Sequence, residues 1–198
     1  KAPVPGLAHS SPIIWGDRLF VTSAVSADPK PYLRVGLYGE SPDHPEDVEH
    51  DFRVFCLDKK SGKILWEKTA YRGLPKTKRH IKATHANCTP ATDGQHVVAL
   101  FGSEGLYCYD LEGKLLWQKD IGYLDAGPSD ARELQWGFAS SPIIHDGKVI
   151  VFCAVRNASF VAAFDVQDGK ELWRTPRETD PCWGTPSVHV GKDRTQVI

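Results

Sequence analysis

The sequence predicts an all-β chain, a β-propeller built of four-stranded antiparallel blades, and three observations carry that expectation. One pattern recurs: Ser/Thr-Pro with a short apolar strand, a tight turn, more strand, then Asp, Gly-Lys and Trp. Its period, roughly 40–50 residues, is that of blades or solenoid units. Runs such as Phe160-Val161-Ala162-Ala163-Phe164 are apolar on both faces, which suits a sheet sandwiched between neighbours rather than one facing water.

The first copy runs from Ser11-Pro12-Ile13-Ile14 to Cys56-Leu57-Asp58, Gly62-Lys63 and Trp66. Its four strands are expected at Pro12–Ile14, Leu19–Val21, Phe52–Leu57 and Ile64–Lys68, innermost to outermost. The second runs from Thr89-Pro90-Ala91 to Cys108-Tyr109-Asp110, Gly113-Lys114 and Trp117. The third runs from Ser141-Pro142-Ile143-Ile144 to Ala163-Phe164-Asp165, Gly169-Lys170 and Trp173, and a fourth opens at Thr185-Pro186-Ser187-Val188. First hairpin turns fall at Trp15-Gly16-Asp17, Asp93-Gly94 and Asp146-Gly147, and last turns at Ser61-Gly62, Glu112-Gly113 and Asp168-Gly169, where Gly accepts positive φ. Pro at the start of an inner strand is tolerated, because a first position can forgo its N–H.

These repeats, at approximately 9–68, 87–119, 139–175 and 183–198, form one partial domain over 1–198. A closed ring takes about four to eight blades, so about three and a half blades predict a partial propeller that needs further blades for closure. The absence of Met leads to the expectation that the natural start is missing, and the strand at Thr195-Gln196-Val197-Ile198 reads as cut short. Exposed terminal blade faces would make such a piece sticky or unstable alone.

With 198 residues, 41% of them hydrophobic and 25% charged, and a formal net charge of −1, the chain reads as an ordinary globular protein with no call for nucleic acid. No apolar stretch reaches the roughly 18 residues of a spanning helix. Of the five cysteines, Cys56 and Cys108 fall where the third repeat has Ala163, the place of small buried filler. Cys88 and Cys182 would pair only in an oxidising compartment, and no spacing resembles a zinc ribbon or redox pair.

In each repeat the Trp is expected to clamp the adjacent blade, and the Asp to accept hydrogen bonds from the following turn. The structural set is therefore Asp58, Gly62, Trp66, Asp110, Gly113, Trp117, Asp165, Gly169 and Trp173. This combination, [Ala/Cys]-x-Asp followed by Gly-Lys-x-x-Trp, resembles the tryptophan-docking repeat of the pyrroloquinoline quinone (PQQ) family of propellers. Within it the chain looks more like the non-enzymatic branch, which includes the outer-membrane-assembly lipoprotein and many bacterial envelope proteins. The resemblance implies a periplasmic or extracellular scaffold with a protein or envelope ligand, no cofactor, and no membrane span of its own.

Two alternatives stay open. A quinoprotein dehydrogenase of alcohols or sugars would hold PQQ and calcium, with a carboxylate abstracting the substrate proton. The adjacent Cys-Cys pair common in those enzymes is missing here, and no position matches their calcium-ligating Glu and Asn or their catalytic Asp. The other alternative is a sensor domain of a larger signalling protein.

Long links at 24–51, 69–86 and 118–138 all emerge on one face of an up-and-down propeller, and function is usually carried by long loops on a rigid scaffold. Asp43, Glu46, Asp47, Glu49 and Asp51 crowd the first link, and Arg72, Lys76, Lys78, Arg79 and Lys82 the second. Either the two sets satisfy each other or they dock a partner. The partner-docking candidates are Asp43, Glu46, Asp47, Arg72, Lys76, Lys78 and Arg79. Segments entering the inner strands supply axial ligand-binding candidates, His9, Ser10, His85, Asn87, Trp136, Ser140 and Trp183. Two Trp and two His there suit a planar or sugar-like ligand, or else they plug the channel. No catalytic residue is expected. The acidic stretch 43–51 lacks calcium-loop spacing, so no metal site is expected either.

Overall fold

A computed structural model describes residues 1–29, 43–44, 48–128, 130–131, 134–156 and 158–198, with backbone alone at 43–44. The first blade contains β1 (Ile13–Trp15) and β2 (Arg18–Ser26). A two-residue strand, β3 (Asp43–His44), lies in its long link, before β4 (His50–Asp58) and β5 (Ile64–Gly73). A second short strand, β6 (Arg79–His80), precedes the next blade, formed by β7 (Ala91–Thr92), β8 (His96–Leu100), β9 (Leu106–Asp110) and β10 (Leu115–Lys119). The third blade is β11 (Ile143–His145), β12 (Lys148–Cys153), β13 (Phe160–Asp165) and β14 (Glu171–Pro176). A hairpin of β15 (Val188–Val190) and β16 (Thr195–Val197) follows. The three full sheets run β1-β2-β4-β5, β7-β8-β9-β10 and β11-β12-β13-β14, every neighbour antiparallel, so the chain is a partial, unclosed propeller.

Inner hairpins turn tightly for a local reason. At Asp146-Gly147 both residues take positive φ, 48° and 68°, the backbone whose twist matches a two-residue hairpin and which Asp-Gly tolerates best. Strands β2 and β5 are longer than expected from the sequence. The polar run Thr22-Ser23 reads as the exit from a strand, yet the ladder continues to Ser26↔His50. It continues because the buried hydroxyls find acceptors: Ser23 Oγ donates to Pro5 O and Thr22 Oγ1 to Cys88 O, while Leu7 bridges Ala24.

Apolar side chains pack between blades. Phe20, Phe52, Val54 and Cys56 of the first blade meet Val97, Ala99, Phe101 and Tyr109 of the second. Val98, Leu100, Cys108 and Trp117 then meet Val149, Val151, Phe164 and Val166 of the third. Against the final hairpin the cluster shrinks to Ile150, Val161 and Ala163 with Val188 and Val197 alongside. Each interface removes both sheet faces from water, which is why the strands are apolar on both sides.

One irregularity repeats in all three blades. The outer strand slips by one residue between Ile64 and Trp66, between Leu115 and Trp117, and between Glu171 and Trp173. The slip sets Trp66 opposite Cys56, Trp117 opposite Cys108 and Trp173 opposite Ala163. Directly opposed residues share a face, so a small side chain is needed where the indole lies across it. The residue passed over is Leu65, Leu116 or Leu172, and all three are exposed.

All five cysteines are free. Cys88 is fully buried and Cys182 partly so, and they do not pair. Burial pushes the thiols of Cys56 up to about 11 and of Cys108 and Cys153 up to about 12, so these groups stay protonated and inert at neutral pH.

Candidate functional site

The repeated Trp and Asp residues have defined partners. Trp66 Nε1 donates to Leu111 O and Trp117 Nε1 to Val166 O, each at 2.8 Å, in both cases the carbonyl just after the next blade's repeated Asp. Trp173 is 37% exposed and makes no hydrogen bond to a described residue through its indole. Asp58 Oδ1 accepts from the Ser61 N–H and hydroxyl, Asp110 Oδ1 from the Glu112 and Lys114 N–H groups, and Asp165 Oδ1 from the Gln167 N–H. The Ser61 bonds hold the Asp58 carboxyl below its usual range.

The Ser/Thr before each Pro forms a ladder around the axis. The Ser11 N–H donates to Thr89 Oγ1 (3.0 Å), the Thr89 N–H to Ser141 Oγ (2.9 Å) and the Ser141 N–H to Thr185 Oγ1 (3.0 Å). A hydroxyl is required there because it accepts across the blade boundary; Pro follows where no donor is needed.

On the long-loop face, the acidic and basic links meet through their backbones: β3 pairs antiparallel with β6, Asp43 opposite His80 and His44 opposite Arg79. Glu46 and Asp47 lie outside the described residues. Arg79 is buried and donates to Ala83 O, whereas Arg72, Lys76 and Lys78 are exposed. Arg72 reaches back to Asp51, Nη2 to Oδ2 at 2.9 Å, and its guanidinium, joined by Arg53, holds the Asp51 carboxyl below the usual range.

The short turn Gly102–Glu104 fastens two links at once. The Lys76 N–H donates to Glu104 Oε1 (2.7 Å), Lys76 Nζ to Ser103 O (2.8 Å), and the Leu124 N–H to Ser103 Oγ (2.8 Å). Beyond it the Lys78 N–H donates to Gln135 Oε1 at 2.9 Å, so 74–78 is tied to 118–138 as well. Burial raises the Glu104 carboxyl above its ordinary 4.5, against the pull of the Lys76 bond. A carboxyl raised on folding binds protons more tightly in the native state. Its contribution is therefore full at low pH and is lost as pH rises from 4.5 through the native value. Glu104→Gln keeps the acceptor without the charge, so at pH 7 it should melt at or above wild type, the difference closing by pH 4. Equal destabilisation at both pH values, read by thermal melts, would contradict this account.

Four of the seven axial candidates, His9, Asn87, Trp136 and Trp183, line one cleft of about 380 Å³ together with His80 and Lys82. Trp136 and Trp183 stack there, centroids 6.0 Å apart at 24°, and His80 stands edge-on to Trp136 at 5.7 Å. Trp183 Nε1 donates to Gly137 O. Asn87 is committed to structure, Oδ1 accepting from the Thr84 N–H and hydroxyl, Nδ2 donating to Phe138 O. The other three candidates sit elsewhere. Ser10 Oγ donates to Thr22 O, His85 packs on His50 and Phe52, and the Ser140 hydroxyl is buried. His80 and Lys82 come from the link 69–86, and no local signal brings them to the axis, because β6 is positioned by its pairing with β3.

The family model described as outer membrane protein assembly factor BamB matches residues 8–195. No curated protein matches the chain. Among solved structures, quinohemoprotein alcohol dehydrogenase from Comamonas testosteroni aligns at 15% identity and TM-score 0.54, over 87% of this chain and 21% of that one. Quinohemoprotein alcohol dehydrogenase ADHIIG from Pseudomonas putida HK5 aligns at 17% identity and TM-score 0.51, over 89% of this chain and 21% of that one. BamB from Moraxella catarrhalis aligns at 14% identity and TM-score 0.45, over 91% of this chain and 52% of that one. At these identities the two dehydrogenases show a shared fold alone, and this chain spans about a fifth of their length.

Proposed function

This chain belongs to the family of the outer membrane protein assembly factor BamB, and on that premise we propose that it is a non-catalytic propeller scaffold of the periplasm or cell exterior. It binds a protein or envelope ligand through its long-loop face. One observation carries the reading: described segments of that face are fastened to one another and to the blades, through β3–β6, Lys76 with Ser103 and Glu104, and Lys78 with Gln135. Loops ordered before binding lose less entropy on docking, so side chains such as Arg72, Leu74, Lys78 and Tyr123 are displayed from a preformed surface. Among the described residues no helix is long and apolar enough to cross a membrane.

The described residues lining the axial cleft do not fit a calcium ion. No carboxylate is among the described residues lining the axial cleft, and no group of three His, Cys, Asp or Glu among the described residues could hold a metal ion. Photo-crosslinking tests the docking reading: a reactive side chain at Arg72, Leu74, Lys78 or Tyr123 should give discrete adducts in envelope fractions. The same group on the opposite face, at Asp17, Lys60, Asp146 or Asp168, should give none. Equal labelling from both faces would sink the scaffold reading, as would stoichiometric tight binding of PQQ with calcium in a calorimetric titration.

A further inference from the structure

We propose that Glu104 works as a pH-sensitive clasp, whose ionisation loosens the link 74–78 from the second blade and whose protonation fastens it. That role rests on the docking reading, since the link displays Leu74 and Lys78 on the long-loop face. It concerns how that face is ordered and not what binds there. In the turn Gly102–Glu104 two links end on neighbouring residues by different chemistry. Ser103 Oγ, a neutral hydroxyl, accepts the Leu124 N–H at 2.8 Å, whereas Glu104 Oε1, on a group that titrates, accepts the Lys76 N–H at 2.7 Å.

Glu104 is 7% exposed, and the groups around its carboxyl do little to support a charge there. Lys76 Nζ donates to Ser103 O at 2.8 Å and stands 3.7 Å from Asp120 Oδ2, so its ammonium is shared between a carbonyl and another carboxylate. Tyr107 donates its hydroxyl to the main-chain Glu104 O at 2.8 Å and not to the side chain. Burial pushes that phenol up to about 12, so it carries no charge from acid to neutral pH. Among the described residues the Glu104 carboxyl therefore makes no ion pair. A buried carboxylate so placed is costly, and ionisation favours any state in which it meets water. Burial accordingly raises it above 4.5, while the Lys76 N–H and the more distant Lys76 charge pull the other way.

Only one side of the clasp can yield locally. Leu124 is 1% exposed and belongs to the cluster between the second and third blades, so its link stays seated when the carboxyl ionises. Leu74 and Lys76, in contrast, are exposed. Lifting residues 74–76 hydrates Glu104 at the loss of the two hydrogen bonds that Lys76 makes. Thr77 is buried and the Lys78 N–H is held by Gln135, so the movement stops there. The closed form binds the proton more tightly, so closure is strongest below pH 4.5 and weakens as pH rises through the native value. Acid pH thus presents a tied-down docking surface, and neutral pH a looser one.

The test is amide hydrogen exchange of the folded chain, followed residue by residue between about pH 4 and pH 8. The Leu124 amide, held by the neutral Ser103 hydroxyl, is the reference within the same turn. The protection of Lys76 relative to Leu124 should fall about threefold or more across that range, because each unit by which folding raises the carboxyl is worth about tenfold in opening. Glu104→Gln, which keeps an acceptor without the charge, should hold that ratio constant, and protection of the β13 amides should not change in either protein. A ratio independent of pH in the wild-type protein would overturn the proposal, as would the same pH dependence in Glu104→Gln or a loss of protection that extends to β13. Comparison of Lys76 with Leu124 needs the wild-type protein alone, so it decides the matter even where the variant fails to fold. No partner takes part, so failure of the clasp and absence of crosslinks from the loops are separate results.

Discussion

Replacing the three repeated tryptophans by alanine should give three different losses of stability, largest at Trp117. Trp117 is 8% exposed, lies in the cluster between the second and third blades, and donates to Val166 O. Trp117→Ala opens a cavity and leaves that carbonyl without its donor, so it should cost about 3–5 kcal/mol. In a domain of this size that lowers the midpoint by roughly 6–20 °C. Trp66 makes the equivalent bond to Leu111 O but is only half-buried, so its loss should be smaller. Trp173, more than a third exposed and with no described acceptor, should cost about 1 kcal/mol. Thermal and urea melts of the three variants measure the order. Equal losses would mean that the residues stabilise their own blades and do not clamp the next.

Gly169→Ala should be nearly as damaging, although it adds a single methyl group. Gly169 is buried at φ +71°, and a Cβ there would stand 2.7 Å from the Trp117 ring. Left-handed backbone costs a non-glycine residue about 1–2 kcal/mol, and overpacking adds about 1–3 kcal/mol. The expected total is about 2–5 kcal/mol. These parts are separable, because the backbone strain remains when Trp117 is already Ala whereas the clash disappears. A double-mutant cycle of Gly169→Ala with Trp117→Ala should show coupling of about 1–3 kcal/mol. Strict additivity would mean that the glycine serves its turn alone. Gly113, with its Cβ position 2.8 Å from the Trp66 ring, repeats the arrangement one blade earlier.

The recurrence of Gly-Lys-x-x-Trp thus has a cause beyond the turn. An indole from one blade covers the glycine of the next, so the motif links neighbours in space that lie about one repeat apart in sequence. The small residue opposite each Trp belongs to the same arrangement. Cys56, Cys108 and Ala163 read as filler in sequence, yet the one-residue slip of the outer strand places each of them against an indole. A slip cannot be read from alternation, because Leu65, Leu116 and Leu172 are as apolar as their neighbours while standing in solvent.

By itself the sequence determined the three four-stranded repeats and the opening of a fourth, the order of strands within them, the hairpin turns and the hydrogen bonds of the repeated Asp residues. All of these rest on contacts a few residues long, or on apolar periodicity that repetition reinforces. The tertiary structure alone decided which Trp is buried and which stands open, since burial requires the following blade. It alone joined Ser11, Thr89, Ser141 and Thr185 into a hydroxyl ladder, because each bond crosses a blade boundary. It also brought His80 and Lys82 to Trp136 and Trp183. No local preference encodes that meeting, which depends on β3 pairing with β6 and on the rotation from one blade to the next.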